Sequence, residues 1–335
     1  MSDPMTPAAS TAVAASAASA ATVRPRWRDL PAVVRQALAD RIGPVAWVQD
    51  QRGGFTPGLA VRVRSAGGQR VFVKGINTTQ VPALAAKYRL EAQATAALPP
   101  TAPAPRLLWS KQVAGWLLLV LQDLPGRYPD FAPGSPDLPS VVAALQRAAA
   151  VLTPNPWPAA PPAIQELGDL VHGWRALADH PPADLDAWAR RYLPALADGE
   201  RAWLTAADGP TLLHGDLRAD NMIITEGGDT PGRAVWLIDW AQPYQGSPWI
   251  DLVDLIPHLI LAGHTPAAAE HVVAQPLAQL GVEEEVITSY AIAFAGYWAR
   301  MSRLPAPPGA PNLRAHQARA CQAACRWIAH RTGWG

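Results

Sequence analysis

The chain has 335 residues, 49% of them hydrophobic, with 28 Lys and Arg against 27 Asp and Glu. That length and apolar content suffice for one large bilobed domain or two ordinary ones, and the charge balance excludes the basic excess of a nucleic-acid binder and gives no membrane-surface signal. Two cysteines, Cys321 and Cys325, cannot build a disulfide framework and fit a reducing compartment.

Residues 1–24 open on Met1-Ser2-Asp3-Pro4 and continue in Ala, Ser and Thr. An acid precedes the first basic residues, Arg24, Arg26 and Arg28, which reverses the order of a signal peptide. The segment is expected to be a disordered tail and the protein cytoplasmic. Pro31–Ile42 has helical spacing, with Val34, Leu38 and Ile42 on one face. Val45–Gln49 reads as a strand, and Gly53–Gly58 as a Gly/Pro turn. Leu59–Arg64 alternates like a half-buried strand, Gly67-Gly68 marks a hairpin, and Val71–Lys74 is the return strand. Pro82–Leu98 is an Ala-rich helix with Pro at its start. Arg106–Ser110 and Trp116–Leu121 are strands around Ala114-Gly115. The order is β-β-β-α-β-β.

Pro125–Pro139 reads as a linker, and the chain from Ser140 as mostly helical. A short β region, Met222–Thr225 and Val235–Ile238, turns at Gly227-Gly228-Asp229. The most apolar stretch, Leu252–Gly263, is interrupted by Asp254, Pro257 and His258, so no transmembrane helix is expected. There is no internal repeat. The reading is an α+β chain with a small antiparallel-sheet N-lobe over 25–124 and a larger, mostly helical C-lobe over 125–335, the shape of a bilobed phosphotransferase.

Phosphoryl transfer needs a carboxylate at the acceptor hydroxyl, oxygen ligands for Mg²⁺, a cation on the phosphates and a glycine loop over them. His214-Gly215-Asp216-Leu217-Arg218-Ala219-Asp220-Asn221 has the form His-x-Asp-x-x-x-x-Asn, between an apolar run and a strand. Val235–Trp240 is an apolar strand ending in Asp239, a place for a metal-binding carboxylate. Lys74 ends Val-Phe-Val-Lys, and Glu91 is the only acid of the helix that follows it. Gly54 and Thr56 in the glycine turn offer a backbone amide and a hydroxyl to phosphate. Leu119–Gly126 is where a hinge between lobes would lie. Taken singly, these features also read as a polar turn, a strand-end cap, a solvated lysine and an ordinary hairpin. Their joint order is not expected by chance.

With those residues in place the sequence resembles the aminoglycoside phosphotransferase family, small-molecule kinases with the protein-kinase fold. The resemblance rests on Leu213–Asn221, on Leu237-Ile238-Asp239-Trp240 and on Gly246–Leu252, which matches Gly-x-Pro-x-x-Asp-Leu. It runs from about Gly53 to Leu255 and more loosely to the C-terminus. It implies that Asp216 accepts or orients the acceptor hydroxyl, and that Asn221 and Asp239 hold Mg²⁺. It implies that Lys74, fixed by Glu91, contacts the phosphates of ATP or GTP, and that backbone groups of Gln122 and Leu124 receive the base. His214 and Asp251 would brace the catalytic loop. Asp251 also reads as a first-turn acid of a helix begun by Ser247-Pro248.

The implied partner is a small molecule with a hydroxyl group, with neither nucleic acid nor membrane involved, and the protein a monomer or homodimer. The segment between Asp239 and Asp251 is too short for a protein-kinase activation loop, which disfavours a protein substrate. Family acceptors include aminoglycosides, other antibiotics, choline-like amines, sugars and amino alcohols. A polycation would need acids, for which Asp216, Asp220 and Asp254 are candidates; Glu283-Glu284-Glu285 reads as a solvated helix start. Trp157, Trp174, Trp188, Trp203 and Trp298 read mostly as core, with a ring-stacking pocket as the alternative. Cys321 and Cys325, with His316 and His330 nearby, match no usual zinc spacing and read as a packed helix face. The rival from another class is a catalytically silent nucleotide-binding regulator.

Overall fold

The computed structural model describes residues 24–51, 56–226, 233–307 and 310–335. Most of the expected tail, Gly54 of the glycine turn and the turn at Gly227-Gly228-Asp229 lie outside the described residues.

Helix α1 (Ala32–Ile42) turns Val34, Leu38 and Ile42 inward, as their spacing predicts. One antiparallel sheet follows, from β1 (Val45–Asp50), β2 (Leu59–Ser65), β3 (Arg70–Asn77), then, after α2 (Pro82–Ala97), β4 (Leu107–Val113) and β5 (Trp116–Gln122). Its spatial order is β1-β2-β3-β5-β4. The sheet is a middle layer. Val61, Val63, Val71, Val73, Leu118 and Val120 face α1, while Ile76, Leu117 and Leu119 meet Ala85, Tyr88 and Ala92 of α2. Strand β5 is apolar without alternation because both of its faces are covered.

The alternation of β3 sends Val71 and Val73 to the α1 side and Phe72 and Lys74 toward a cleft on the other. Lys74 stands opposite Ala60 of β2 and Leu119 of β5. It is therefore held mid-sheet, where a strand-end lysine read from sequence alone would be solvated.

The segment that reads as a linker is stitched to the rest of the chain. Arg127 exchanges backbone hydrogen bonds of 3.1 and 2.7 Å with Ile224. Buried Asp137 accepts from Arg127 at 2.6 and 2.9 Å and from Arg233 at 3.0 Å.

The remainder is helical: α3 (Leu138–Val151), α4 (Ala163–Glu166), α5 (Gly173–Asp179) and α6 (Ala187–Gly199), then α7 (Trp249–Leu261), α8 (Pro266–Leu280), α9 (Glu284–Met301) and α10 (Leu313–Thr332). Between α6 and α7 lie β6 (Thr211–Leu213), β7 (Met222–Glu226), β8 (Arg233–Leu237) and β9 (Tyr244–Gly246). β7 pairs with β8, the predicted β region, and β6 pairs with β9. Ile238 leaves the strand predicted for it; its amide donates to the Asn221 carbonyl at 2.9 Å. Helix α7 is buried on nearly every side and forms the centre of the helical part. Among the described residues no helix is long and apolar enough to cross a membrane.

Trp157, Trp174, Trp203 and Trp298 are buried in the main core. Trp188 packs instead on Tyr192 and Trp334, near the chain's end. Cys321 and Cys325 sit 4.0 Å apart on α10, and among the described residues no cluster of three or more metal-ligating side chains occurs.

Candidate active site

Lys74 is the meeting point of three elements. Its Nζ donates to Glu91 of α2 at 2.7 and 2.6 Å and to Asp239, just after β8, at 2.7 Å. Burial pulls the ammonium down, but the carboxylates of Asp239 and Glu91 outweigh it and hold Lys74 above its ordinary range. Burial pushes Glu91 up, against the pull of Lys74, to about 7. At Asp239 burial also pushes upward, but the Lys74 charge prevails and the carboxyl lies below its usual range. Asp239 adopts φ +64, a left-handed conformation uncommon for a side-chain-bearing residue and typical of functional sites.

The loop after β6 is pinned from below. The Asp251 carboxylate of α7 accepts from the amides of His214 at 2.9 Å and Gly215 at 3.2 Å. Its first-turn position in α7 is real, but the helix is capped at Pro248 without a Ser247 side-chain bond. His214 is fully buried against Trp240, ring centroids 4.8 Å apart. Its Nδ1 accepts from the Asp216 amide at 3.3 Å and its Nε2 lies 2.8 Å from the Ile238 carbonyl oxygen, which assigns the proton to Nε2. One imidazole thus ties the Asp216 loop to the Asp239 strand. Gly215 makes the turn possible: its φ is +75, and a Cβ there would lie 2.4 Å from the Gln242 carbonyl oxygen.

Asp216 is held by a residue that sequence reasoning passed over. Arg218 Nη1 donates to both Asp216 carboxylate oxygens, at 2.9 and 3.0 Å. The same guanidinium donates to Asp220 at 2.9 and 3.2 Å. Asn221 adds bonds of 2.8 Å to the Asp216 carboxylate and to its carbonyl. The available signal was the acid-base-acid alternation of Asp216, Arg218 and Asp220, which a 3₁₀ turn at Ala219–Asn221 folds into a fork.

Beside these groups lies a cleft of about 460 Å³. Lys74, Glu91, Asp220, Asn221 and Asp239 line it, as do Gln122 and Leu124 at the sheet end, among apolar side chains such as Phe72, Leu121 and Ile223. Buried Asp123 between Gln122 and Leu124 anchors Arg62 at 2.6 Å and Arg70 at 2.9 Å, and Arg62 also donates to the Leu124 carbonyl at 3.0 Å.

Among the described residues Thr56 is not one of those lining the cleft, and Gly58, two positions on, is packed so closely that a Cβ there would sit 1.9 Å from the Tyr88 hydroxyl. Asp254, expected as an acceptor contact, is enclosed within the fold. It is 5% exposed and accepts from the Tyr290 hydroxyl at 2.7 Å, and burial, with the Asp251 charge, raises its carboxyl well above the usual range. The reason is the enclosure of α7.

The family model described as the phosphotransferase enzyme family matches residues 53–286. The chain belongs to that family. This phosphotransferase is accordingly a small-molecule kinase of protein-kinase-like fold, with an alcohol group as acceptor. Among curated proteins none matches it. Solved structures share the fold at low identity. The GDP complex of wild-type aminoglycoside 2′-phosphotransferase-IIIa has a TM-score of 0.56 and 14% identity, over 90% of this chain and 97% of that one. Macrolide 2′-phosphotransferase MphH from Brachybacterium faecium has 0.54 and 17%, over 88% and 96%. A proposed fructosamine-3-kinase from Haemophilus somnus 129PT has 0.53 and 14%, over 90% and 97%.

Proposed function

We propose that this phosphotransferase moves the terminal phosphoryl group of ATP or GTP, with Mg²⁺, to a hydroxyl of a small molecule of low positive charge. One observation carries the reading: Lys74 touches Glu91 and Asp239 while Asn221 touches Asp216, beside one cleft. Asp216 takes the proton of the acceptor hydroxyl as that oxygen attacks the γ-phosphorus. The bond from the γ-phosphorus to its bridging oxygen breaks, and nucleoside diphosphate leaves. Lys74, oriented by Glu91, grips the phosphates. Gln122 and Leu124 receive the base. The donor set fits the metal: Asp239 and Asn221 offer hard oxygens, and Mg²⁺ typically takes one or two carboxylates plus phosphates and water. Bound there, it supplies neutralising charge for the phosphates.

Charge decides among acceptors. Asp216 and Asp220 share the Arg218 cation, Asp254 is enclosed, and Glu284 pairs with Arg331 at the exposed start of α9. A polycation finds little uncompensated acid in that set. Burial and the charge of Arg218 push His258 down to about 3 and His316 below its usual value, and the two rings stack 6.2 Å apart, so they add no positive charge to set against a cation in this reading.

A nucleotide-consumption screen with Mg²⁺ and ATP or GTP tests this, run over macrolides, aminoglycosides, fructosamines, sugars and amino alcohols. The expected hits carry at most one or two positive charges. An aminoglycoside as the preferred acceptor would overturn the charge argument.

A further inference from the structure

The chain leading into α1 reaches the cleft at Arg24. Arg24 lines that cleft, and its Nη1 donates to the carbonyl oxygen of Gly58 at 2.9 Å. Gly58 closes the glycine turn into β2 and packs directly on Tyr88 of α2. The Tyr88 ring in turn lies 5.4 Å from the Lys74 ammonium. Arg24, Gly58, Tyr88 and Lys74 thus form one chain of contacts beside the cleft that Asn221 and Asp239 line. Tyr88 of α2 and Tyr128, which lines the cleft, both feel the charge of Arg24.

Four carboxylates line the same cleft, Glu91, Asp123, Asp220 and Asp239. A polyphosphate enters such a site only where cations locally outweigh them. Arg62 and Arg127 also line the cleft but are bonded to Asp123 and Asp137, and Lys74 supplies one cation from β3. A guanidinium suits a second, because its planar fork matches phosphate oxygens bidentately.

We propose that Arg24 is a phosphate-binding residue of the nucleotide site, delivered by the chain ahead of α1, which grips the phosphate chain from the glycine-turn side across from Lys74. The proposal rests on the nucleotide-dependent reading above. It makes the segment before the first helix part of the active site, although the family match begins only at residue 53.

The test is calorimetric binding of ATP, ADP and adenosine, and of GTP, GDP and guanosine, to the full-length protein with Mg²⁺. Wild type is compared with Arg24→Ala, Arg24→Gln, Arg24→Lys and the exposed neighbour Arg26→Ala. The expected result is a loss of roughly tenfold or more in di- and triphosphate affinity for Arg24→Ala and Arg24→Gln. Nucleoside affinity stays within about twofold, Arg24→Lys recovers part of the loss, and Arg26→Ala matches wild type. Equal losses for nucleoside and triphosphate indicate a merely structural arginine and overturn the proposal, as does an unchanged triphosphate affinity. A wild type that binds nucleosides and triphosphates alike retires the phosphate site itself, and one that binds no nucleotide retires the nucleotide-dependent reading beneath it.

Discussion

The Asp216 carboxylate takes three hydrogen bonds, two from Arg218 and one from Asn221, and its backbone amide is tied to His214. Charge-assisted bonds of this kind fix a carboxylate's orientation as well as its charge. The loop beneath it depends on Gly215. Gly215→Ala forces a side chain into left-handed backbone and onto the Gln242 carbonyl. The expected cost is about 1–3 kcal/mol of stability, with transfer activity falling further because Asp216 moves; thermal melts and steady-state rates check both. Asp254 gives the contrasting case. Asp254→Asn keeps the shape and leaves a partner for Tyr290, so the KM for acceptor is expected to stay within about twofold. A tenfold rise in that KM restores Asp254 to the acceptor site.

At the scale of elements, the segment 125–137 is structural stitching between β7, β8 and the start of α3. Asp137 is the knot: its bond to Arg127 outweighs burial and holds the carboxyl down at about 2. Because that folded-state value lies below the ordinary 3.8, its stabilisation is present above pH 3.8 and is lost as pH falls through about 2. Asp137→Asn is expected to lower stability by about 1–2 kcal/mol at neutral pH. Denaturant melts of both proteins at pH 7 and pH 3 should show the gap narrowing in acid; a gap that does not change with pH removes the ion pair from the account.

Elements also explain what the sequence could reveal. The five strands, α1 and α2 are legible because apolar periodicity and glycine turns coincide there. Lys74, Glu91 and Asp239 stand out because Glu91 is the only acid of α2, and Lys74 and Asp239 each follow an apolar run. The three-residue strands β6 and β9 are too short to carry a pattern. Arg218 is illegible because its role exists only once a 3₁₀ turn brings Asp216 and Asp220 to one guanidinium. The enclosure of Asp254 is equally illegible, because the burial of α7 on nearly every side arises from tertiary packing, which no local pattern encodes.

For the whole molecule, the sheet layer and the helical part meet at the Lys74–Asp239 pair, 165 positions apart in sequence. Titration within the helical part adds a test. His258, with a folded-state value of about 3 against an ordinary 6.5, binds fewer protons folded than unfolded between those limits. Stability therefore falls as pH drops from 6.5 toward 3. His258→Asn is expected to flatten that part of the curve of melting temperature against pH, and an unchanged slope contradicts a depressed His258.

The central claim is that Asp216 performs chemistry while Lys74, Asn221 and Asp239 hold the nucleotide and its metal. The most direct measurement is the rate of phosphoryl transfer to the best acceptor by wild type and Asp216→Asn, with nucleotide affinity measured on both. The account predicts a fall in kcat of about 10²–10⁴ with nucleotide affinity within about twofold. Equal kcat in the two proteins contradicts it.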